Sequence, residues 1–372
     1  MERKLAHIEI INDIYPIVGA DKIEVARVLG WECVVKKGSF KIGDKIIYVE
    51  VDSVMPEKPE YEFLRERKFR VRTIKLRGQI SQGLVLPILQ SLSSGMSETG
   101  KFEVGDDVTE LLGIKKYLTP TEASEFEAQT QAKHWTKNYA ATRYLMKYPW
   151  FRKSFGPAKK EKGYPSFVSK TDEERIQSMP QIVEQFKDYE VYVTEKVDYQ
   201  SGTWASKHTP LFKIFSKKEF IVTSRNIVNN NKNSLYWIIA LKYNLEKICK
   251  SYKGNFIIQG EQGNTNVQGN KYKISEPTMW VFNVIHNGYH YNYEKMKGFC
   301  DDNNLNCVPL VKICDLAELG STVQELVEFS KGKSLINPDI EREGVVIRCI
   351  KDGKKILSFK VINPNFLLAH EN

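Results

Sequence analysis

The sequence predicts an α+β protein built from two domains, and three observations carry that expectation. The first 115 or so residues read as short β-branched runs separated by polar turns, the pattern of a small β-barrel. From Thr171 onward, strand-like runs alternate with helix-length segments in an α+β arrangement. Between the two lies a basic, aromatic-rich stretch. A length of 372 residues favours two domains over one or three. Hydrophobic content of 41% and charged content of 27% suit an ordinary globular chain.

In the N-terminal region, Val25–Val35 and Lys45–Val51 are the clearest strands, joined by the turn-rich Gly38-Ser39-Phe40-Lys41-Ile42-Gly43-Asp44. Val71–Leu76 and Gly83–Leu86 follow, with Arg77–Gln82 between them. Arg65, Arg67, Lys68, Arg70, Arg72, Lys75 and Arg77 fall within thirteen residues, with Phe69 among them. A basic strand carrying an aromatic suits a nucleic-acid backbone. The plainer reading is an exposed strand whose charge is offset by Glu60, Glu62 and Glu66.

Net charge is +9, unevenly placed. Residues 1–118 carry 19 basic and 18 acidic side chains, residues 119–165 carry 9 and 4, and residues 166–372 carry 27 and 24. The excess in the middle segment fits a polyanionic partner or a solvated connector. One helix is expected there, near Glu122–Met146. Further on, helices are expected at Glu173–Phe186, Ser234–Lys250, Tyr293–Asn304 and Ser321–Lys331.

The chemistry centres on Glu195-Lys196-Val197-Asp198-Tyr199-Gln200-Ser201-Gly202-Thr203. It follows the alternating run Glu190–Thr194, so period two sends Lys196 and Asp198 to one strand face. A lysine whose amine is kept free of its proton can act as a covalent nucleophile. Five groups of residues downstream suit a nucleotide. Arg225, in Ser224-Arg225-Asn226, can hold phosphate, as can Arg175 upstream. Glu261 ends the apolar run Ile257–Gly260 and can accept from ribose hydroxyls. Trp280 and Phe282 are expected on one strand face, where Phe282 offers a stacking surface for a base. Glu343 suits a hard metal ion, directly or through water. Lys360 closes the series, and with a metal it should lower the pKa of Lys196.

The order Lys196, Arg225, Glu261, Phe282, Glu343, Lys360, spread over 165 residues, resembles motifs I, Ia, III, IIIa, IV and V of the covalent nucleotidyltransferases. Phe167–Gln177 and Ser358–Asn363 are similar to the RNA ligases within that group. Gly30-Trp31, Lys37–Asp44, Tyr48–Pro56 and Phe69–Leu84 are similar to the OB module that precedes the catalytic domain in one ATP-dependent RNA ligase family. The resemblance implies an OB-fold barrel at 1–118, a connector at 119–165 and an ATP-grasp-like adenylyltransferase domain with antiparallel sheets at 166–372. It implies ATP, with AMP carried on Lys196, and Mg²⁺ or Mn²⁺ at Glu343. Lys196 and Lys360 are then catalytic. Glu195, Asp198, Arg175, Arg225, Glu261, Phe282 and Glu343 join them around the nucleotide. Arg70, Arg72, Lys75 and Arg77 become the RNA face. The partner would be RNA with 5′-phosphate and 3′-hydroxyl ends, nicked duplex included, engaged by a monomer.

Two residues depart from the pattern. Tyr199 occupies the glycine position of motif I, and Ser358 the place of the first lysine of a Lys-x-Lys pair. They keep open a non-catalytic RNA-binding protein on a degenerate ligase core; a capping guanylyltransferase is the other alternative. Gly95–Lys101 has P-loop spacing, but Phe102 stands where Ser or Thr should hold magnesium. His286 and His290 flank an Asn287-Gly288 hairpin turn, which argues against a metal pair. Six cysteines without a C-x-x-C pair suit reduced thiols in a cytoplasmic or nuclear protein, and neither a signal peptide nor a membrane span is expected.

Overall fold

The computed structural model describes residues 4–88, 102–118, 147, 164–210 and 216–370. The helix expected near Glu122–Met146 and the P-loop-like Gly95–Lys101 lie outside them.

The N-terminal region is a curled antiparallel sheet in the order Trp31–Lys36, Ile23–Val28, Ala6–Pro16, Lys45–Val49, Leu84–Pro87. Its central strand, Ala6–Pro16, is one that the sequence pattern did not reveal. Asn12 and Asp13 interrupt its alternation where a register shift bends the strand, so its two halves pair with different neighbours. Val25–Val35 is not one run but a hairpin, turning at Leu29-Gly30. Only the last three residues of Val71–Leu76 form a strand.

Two further antiparallel sheets make the C-terminal half. One orders Leu310–Asp315, Glu190–Glu195, Gly344–Lys351 and Lys354–Ile362. The other orders Ser216–Ser224, Gln200–Pro210, Phe256–Gly263, Thr278–His286 and Tyr289–His290, with Asn306–Cys307 parallel to Thr278–His286. The helices Leu235–Lys242, Leu245–Ser251 and Tyr293–Asp302 cover the second sheet, around a core that includes Trp204, Phe256, Ile258 and Met296. The first sheet buries Val193, Ile347 and Phe359 against Leu316 and Leu326. Apolar outer faces leave the two sheets free to oppose their mixed inner faces across a cleft.

Two expected helices are broken. Ser234–Lys250 stops at Tyr243 and restarts after Asn244, whose left-handed backbone ends the first helix. Glu173–Phe186 is extended through Arg175, because Lys360 N–H donates to Glu174 O at 2.8 Å and draws that segment alongside the last strand. Pro180 then separates two single-turn helices, Ile176–Ser178 and Ile182–Gln185.

The barrel is seated on the C-terminal half at Gly30. Its N–H donates to Gln177 O at 2.9 Å, and an added Cβ would lie 2.9 Å from both Gln177 Cα and Val323 Cγ1. Only glycine allows the hairpin to approach so closely.

Inside the barrel, His7 is buried between two carboxylates. Its Nδ1 lies 2.8 Å from Glu9 Oε1 and its Nε2 3.5 Å from Glu50 Oε1. Burial pushes the imidazole pKa down, but hydrogen bonds and charge from Glu50 and Glu9 outweigh it and raise the value to about 9. Protonated His7 therefore stabilises the barrel fully below the unfolded pKa near 6.5, and that contribution is lost as pH rises through about 9. The loss should be on the order of 3 kcal/mol. Hydrogen exchange at Ile8 and Ile47, measured from pH 6 to 10, should report it beyond the intrinsic pH trend, and His7→Gln should flatten the dependence.

Candidate active site

The chain leaves one sheet at Glu195 and enters the other at Gln200. Lys196 is therefore not within a strand, as alternation suggests, but on the crossover between the sheets. Its N–H donates to Gly344 O at 3.0 Å, which pins the crossover to the start of the strand Gly344–Lys351. Lys196 Nζ donates to Glu343 Oε2 at 2.5 Å. Burial pushes the Lys196 pKa down, but Glu343, Glu261 and Asp198 together outweigh it and raise it above the ordinary lysine value. The expectation of a lowered Lys196 pKa is thus reversed in the protein alone, because carboxylates surround the amine.

The depressed lysine is Lys360. Burial first, then the neighbouring charges of Arg175, Lys196 and Arg225, bring it down to about 7. Glu261 is pushed up to about 8, chiefly by burial, and its Oε2 has no hydrogen-bond partner. An orphaned buried carboxylate oxygen beside Glu343 fits a hard cation. Among the described residues, no three His, Cys, Asp or Glu side chains alone form a metal cage. An ion here would complete its shell with water and phosphate oxygens, as Mg²⁺ commonly does.

Arg175 and Arg225 border this cluster. Arg225 Nε lies 3.5 Å from Asp172 Oδ1. Arg175 reaches into the barrel, where Nη2 is 3.6 Å from Asp52 Oδ2 and the guanidinium lies 5.6 Å from the Trp31 ring centre. Arg175 Nε and Nη1 are buried without hydrogen-bond partners.

Phe282 and Trp280 do not share surroundings. A register shift opposite Gln259-Gly260 leaves Phe282 unpaired in the ladder. Phe282 lines a small polar pocket with Ser169, Thr171, Gln259 and Arg348, and Arg348 Nη1 donates to its carbonyl at 2.6 Å. Trp280 instead stacks on Tyr199, with ring centres 5.8 Å apart and planes 15° off parallel.

That stack accounts for Tyr199 in a glycine position. Its φ is not positive, so the backbone there does not require glycine. The ring occupies space left by Gly263, where a Cβ would come within 2.6 Å of it. Ser358 has a comparable explanation: its Oγ accepts from Arg348 Nε at 3.1 Å, and a lysine there would crowd a second cation against that guanidinium.

Two of the expected residues have protein partners. The Glu195 carboxylate is buried, accepting from Ser334 Oγ at 2.5 Å and Leu335 N–H at 2.6 Å, so it anchors the nucleophile segment. Arg70 Nη2 donates to Asp52 Oδ1 at 2.6 Å, and the guanidinium lies 3.7 Å from the Tyr117 ring centre. Lys75 and Arg77 remain exposed on the hairpin of Ile74–Leu76 and Gln79–Ser81, while Arg72 is half-buried. Lys271, which sequence reasoning passed over, pairs with Asp198; its loop carries no periodic signal.

Residues 5–88 match an OB-fold domain model, and residues 189–362 match the RNA ligase model. Residues 189–362 are thus an RNA ligase domain. A search of curated proteins gives no match. Among solved structures, the ligase is similar to Naegleria gruberi RNA ligase with PPi, at 29% identity and a TM-score of 0.77, covering 100% of this chain and 99% of that one. A mutant of that enzyme with ATP and Mn gives 28% identity and 0.76 over 100% of both chains. Another, with AMP and Mn, gives 29% and 0.76 over 99% of both. Tyr199 is packed into the space left by Gly263. Tyr199→Gly should therefore destabilise the protein by about 3–5 kcal/mol, the usual cost of emptying a buried aromatic site, as read from urea unfolding.

Proposed function

We propose that this RNA ligase is ATP-dependent and works through a lysyl-AMP intermediate on Lys196. The reading is carried by the position of Lys196 Nζ at the sheet crossover, bonded to Glu343 and within the field of Asp198 and Glu261. In the first step the Lys196 amine attacks the α-phosphorus of ATP; an N–P bond forms and the bond to pyrophosphate breaks. AMP then passes to an RNA 5′-phosphate. Attack by a 3′-hydroxyl on that activated end expels AMP and seals the strand.

Each residue's part follows from its chemistry. Lys196 must shed its proton before its lone pair can attack, and its carboxylate neighbours oppose that. Glu343, with Glu261 beside it, would hold Mg²⁺ or Mn²⁺, which supplies positive charge to offset those carboxylates and stabilise the α-phosphate. Lys360, Arg175 and Arg225 would bind phosphate oxygens. Phe282 would stack on adenine, in a slot walled by Arg348. Tyr199 and Ser358 are both accommodated by their neighbours, which supports an active ligase over a degenerate core.

We assign residues 1–118 to the OB module, 119–165 to a connector and 166–372 to the catalytic domain. Lys75 and Arg77, with Arg72, are the proposed RNA face of the barrel. The substrate is RNA bearing 5′-phosphate and 3′-hydroxyl ends, nicked duplex among its forms, bound by a monomer. No helix among the described residues is long and apolar enough to cross a membrane. All six cysteines are free thiols, which supports an intracellular setting.

Incubation with α-labelled ATP and Mg²⁺ or Mn²⁺ should attach AMP to the protein. Lys196→Ala should abolish that label without unfolding, and Lys196→Arg should be equally inactive because guanidinium keeps its proton. Label on either variant, or preferential labelling by GTP, would contradict the reading. Glu343→Gln should not restore activity, since charge and not shape holds the metal.

Removing residues 1–118 should abolish most joining of nicked RNA. The AMP-transfer motifs all lie beyond residue 165, so label uptake should fall less than joining. It should still fall, because truncation strips Asp52 and Trp31 from Arg175. Truncated protein that joins as well as the full chain would remove the barrel from substrate binding.

A further inference from the structure

The segment carrying Lys196 is held on both sides by loops, and one residue links those loops. On one side, Ser334 and Leu335 grip the Glu195 carboxylate. On the other, the consecutive Lys271 and Tyr272 grip Asp198. Lys271 Nζ bonds Asp198 Oδ2, and the Asp198 N–H donates to the Tyr272 hydroxyl at 2.9 Å. Asn337 Nδ2 then donates to the Lys271 carbonyl at 2.8 Å, joining the two loops. The Lys271 ammonium also lies 4.8 Å from the centre of the Phe366 ring, on the helix Pro364–His370 that follows the last strand.

We propose that Lys271 is a positioning residue for the nucleophile, holding the Asp198 carboxylate so that the crossover presents Lys196 in one geometry. The inference rests on Lys196 being the residue that takes up AMP. The argument is one of charge. Asp198 and Lys271 are each about one-fifth exposed, so a carboxylate left there without its cation is poorly solvated. The other cation whose field it feels is Lys196. Without Lys271, Asp198 would compete with Glu343 for the Lys196 ammonium and draw it away from the line of attack. Tyr272 alone cannot prevent this, because it holds only the Asp198 backbone.

A side-chain tether of this kind acts on the rate of attack more than on ATP binding. In single-turnover AMP attachment across an ATP titration, Lys271→Met should lower the maximal rate roughly tenfold or more, the scale of a small misplacement of a reacting group. Half-saturating ATP should change little. Lys271→Arg keeps the charge and should stay close to the parent rate; it carries the test if Lys271→Met does not fold. An unchanged rate in Lys271→Met would overturn the inference. So would a loss confined to ATP half-saturation, or an Lys271→Arg as slow as Lys271→Met. Lys196→Ala run alongside separates the two claims: label on it overturns the nucleophile assignment and the inference with it, whereas a label-free Lys196→Ala beside a normal Lys271→Met overturns the inference alone.

Discussion

The structure depends on a partly buried ion pair between Lys196 and Glu343. The lysine sits where the chain passes from one sheet to the other, and the glutamate immediately precedes Gly344–Lys351, a central strand of the first sheet. The bond of 2.5 Å therefore ties the crossover to the four-stranded sheet. A pair so placed is expensive to desolvate and adds little net stability. Its retention is understandable if the ammonium has work to do, and if the carboxylates around it await a cation. Glu261, with an unpartnered oxygen and a pKa near 8, is the clearest sign that the cluster is incomplete as a protein-only arrangement.

The rest of the fold serves that crossover. Both sheets turn apolar faces outward to helices and short turns, leaving mixed inner faces. The barrel is docked through Gly30 at Gln177 and Val323, just past the extended segment Glu173–Arg175 that pairs with Lys360. Arg175 is thereby shared: its backbone belongs to the catalytic half, and its side chain rests between Asp52 and Trp31 of the barrel. Movement of the barrel would be felt at Arg175 and Lys360 before it reached Lys196.

Much of this was legible in the sequence, because the functional residues stand at the ends of apolar runs and strand ends survive folding as site edges. The charges of Glu261, Glu343 and Lys360 do act on one another and on Lys196. What failed depended on long-range partners. Ala6–Pro16 hides its strand character behind a bulge whose halves serve different neighbours. Glu173–Arg175 has helix-compatible residues but is held extended by Lys360. Arg70 looked like a surface cation, yet Asp52 and Tyr117 claim it. Tyr199 departs from the motif I pattern, and the space for its ring is left by Gly263, 64 positions later. None of these relations is written in a local window of sequence.

The central claim is that one amine, and no other, takes up AMP. The direct measurement is peptide mapping by mass spectrometry of the intact protein after incubation with ATP and a divalent metal. The account predicts a single AMP adduct, joined by an acid-labile phosphoramidate bond to Lys196 within the peptide that spans Glu195 to Gln200. An adduct on Lys360, Lys271 or any other residue, or stoichiometric ATP turnover with no adduct at all, would contradict it.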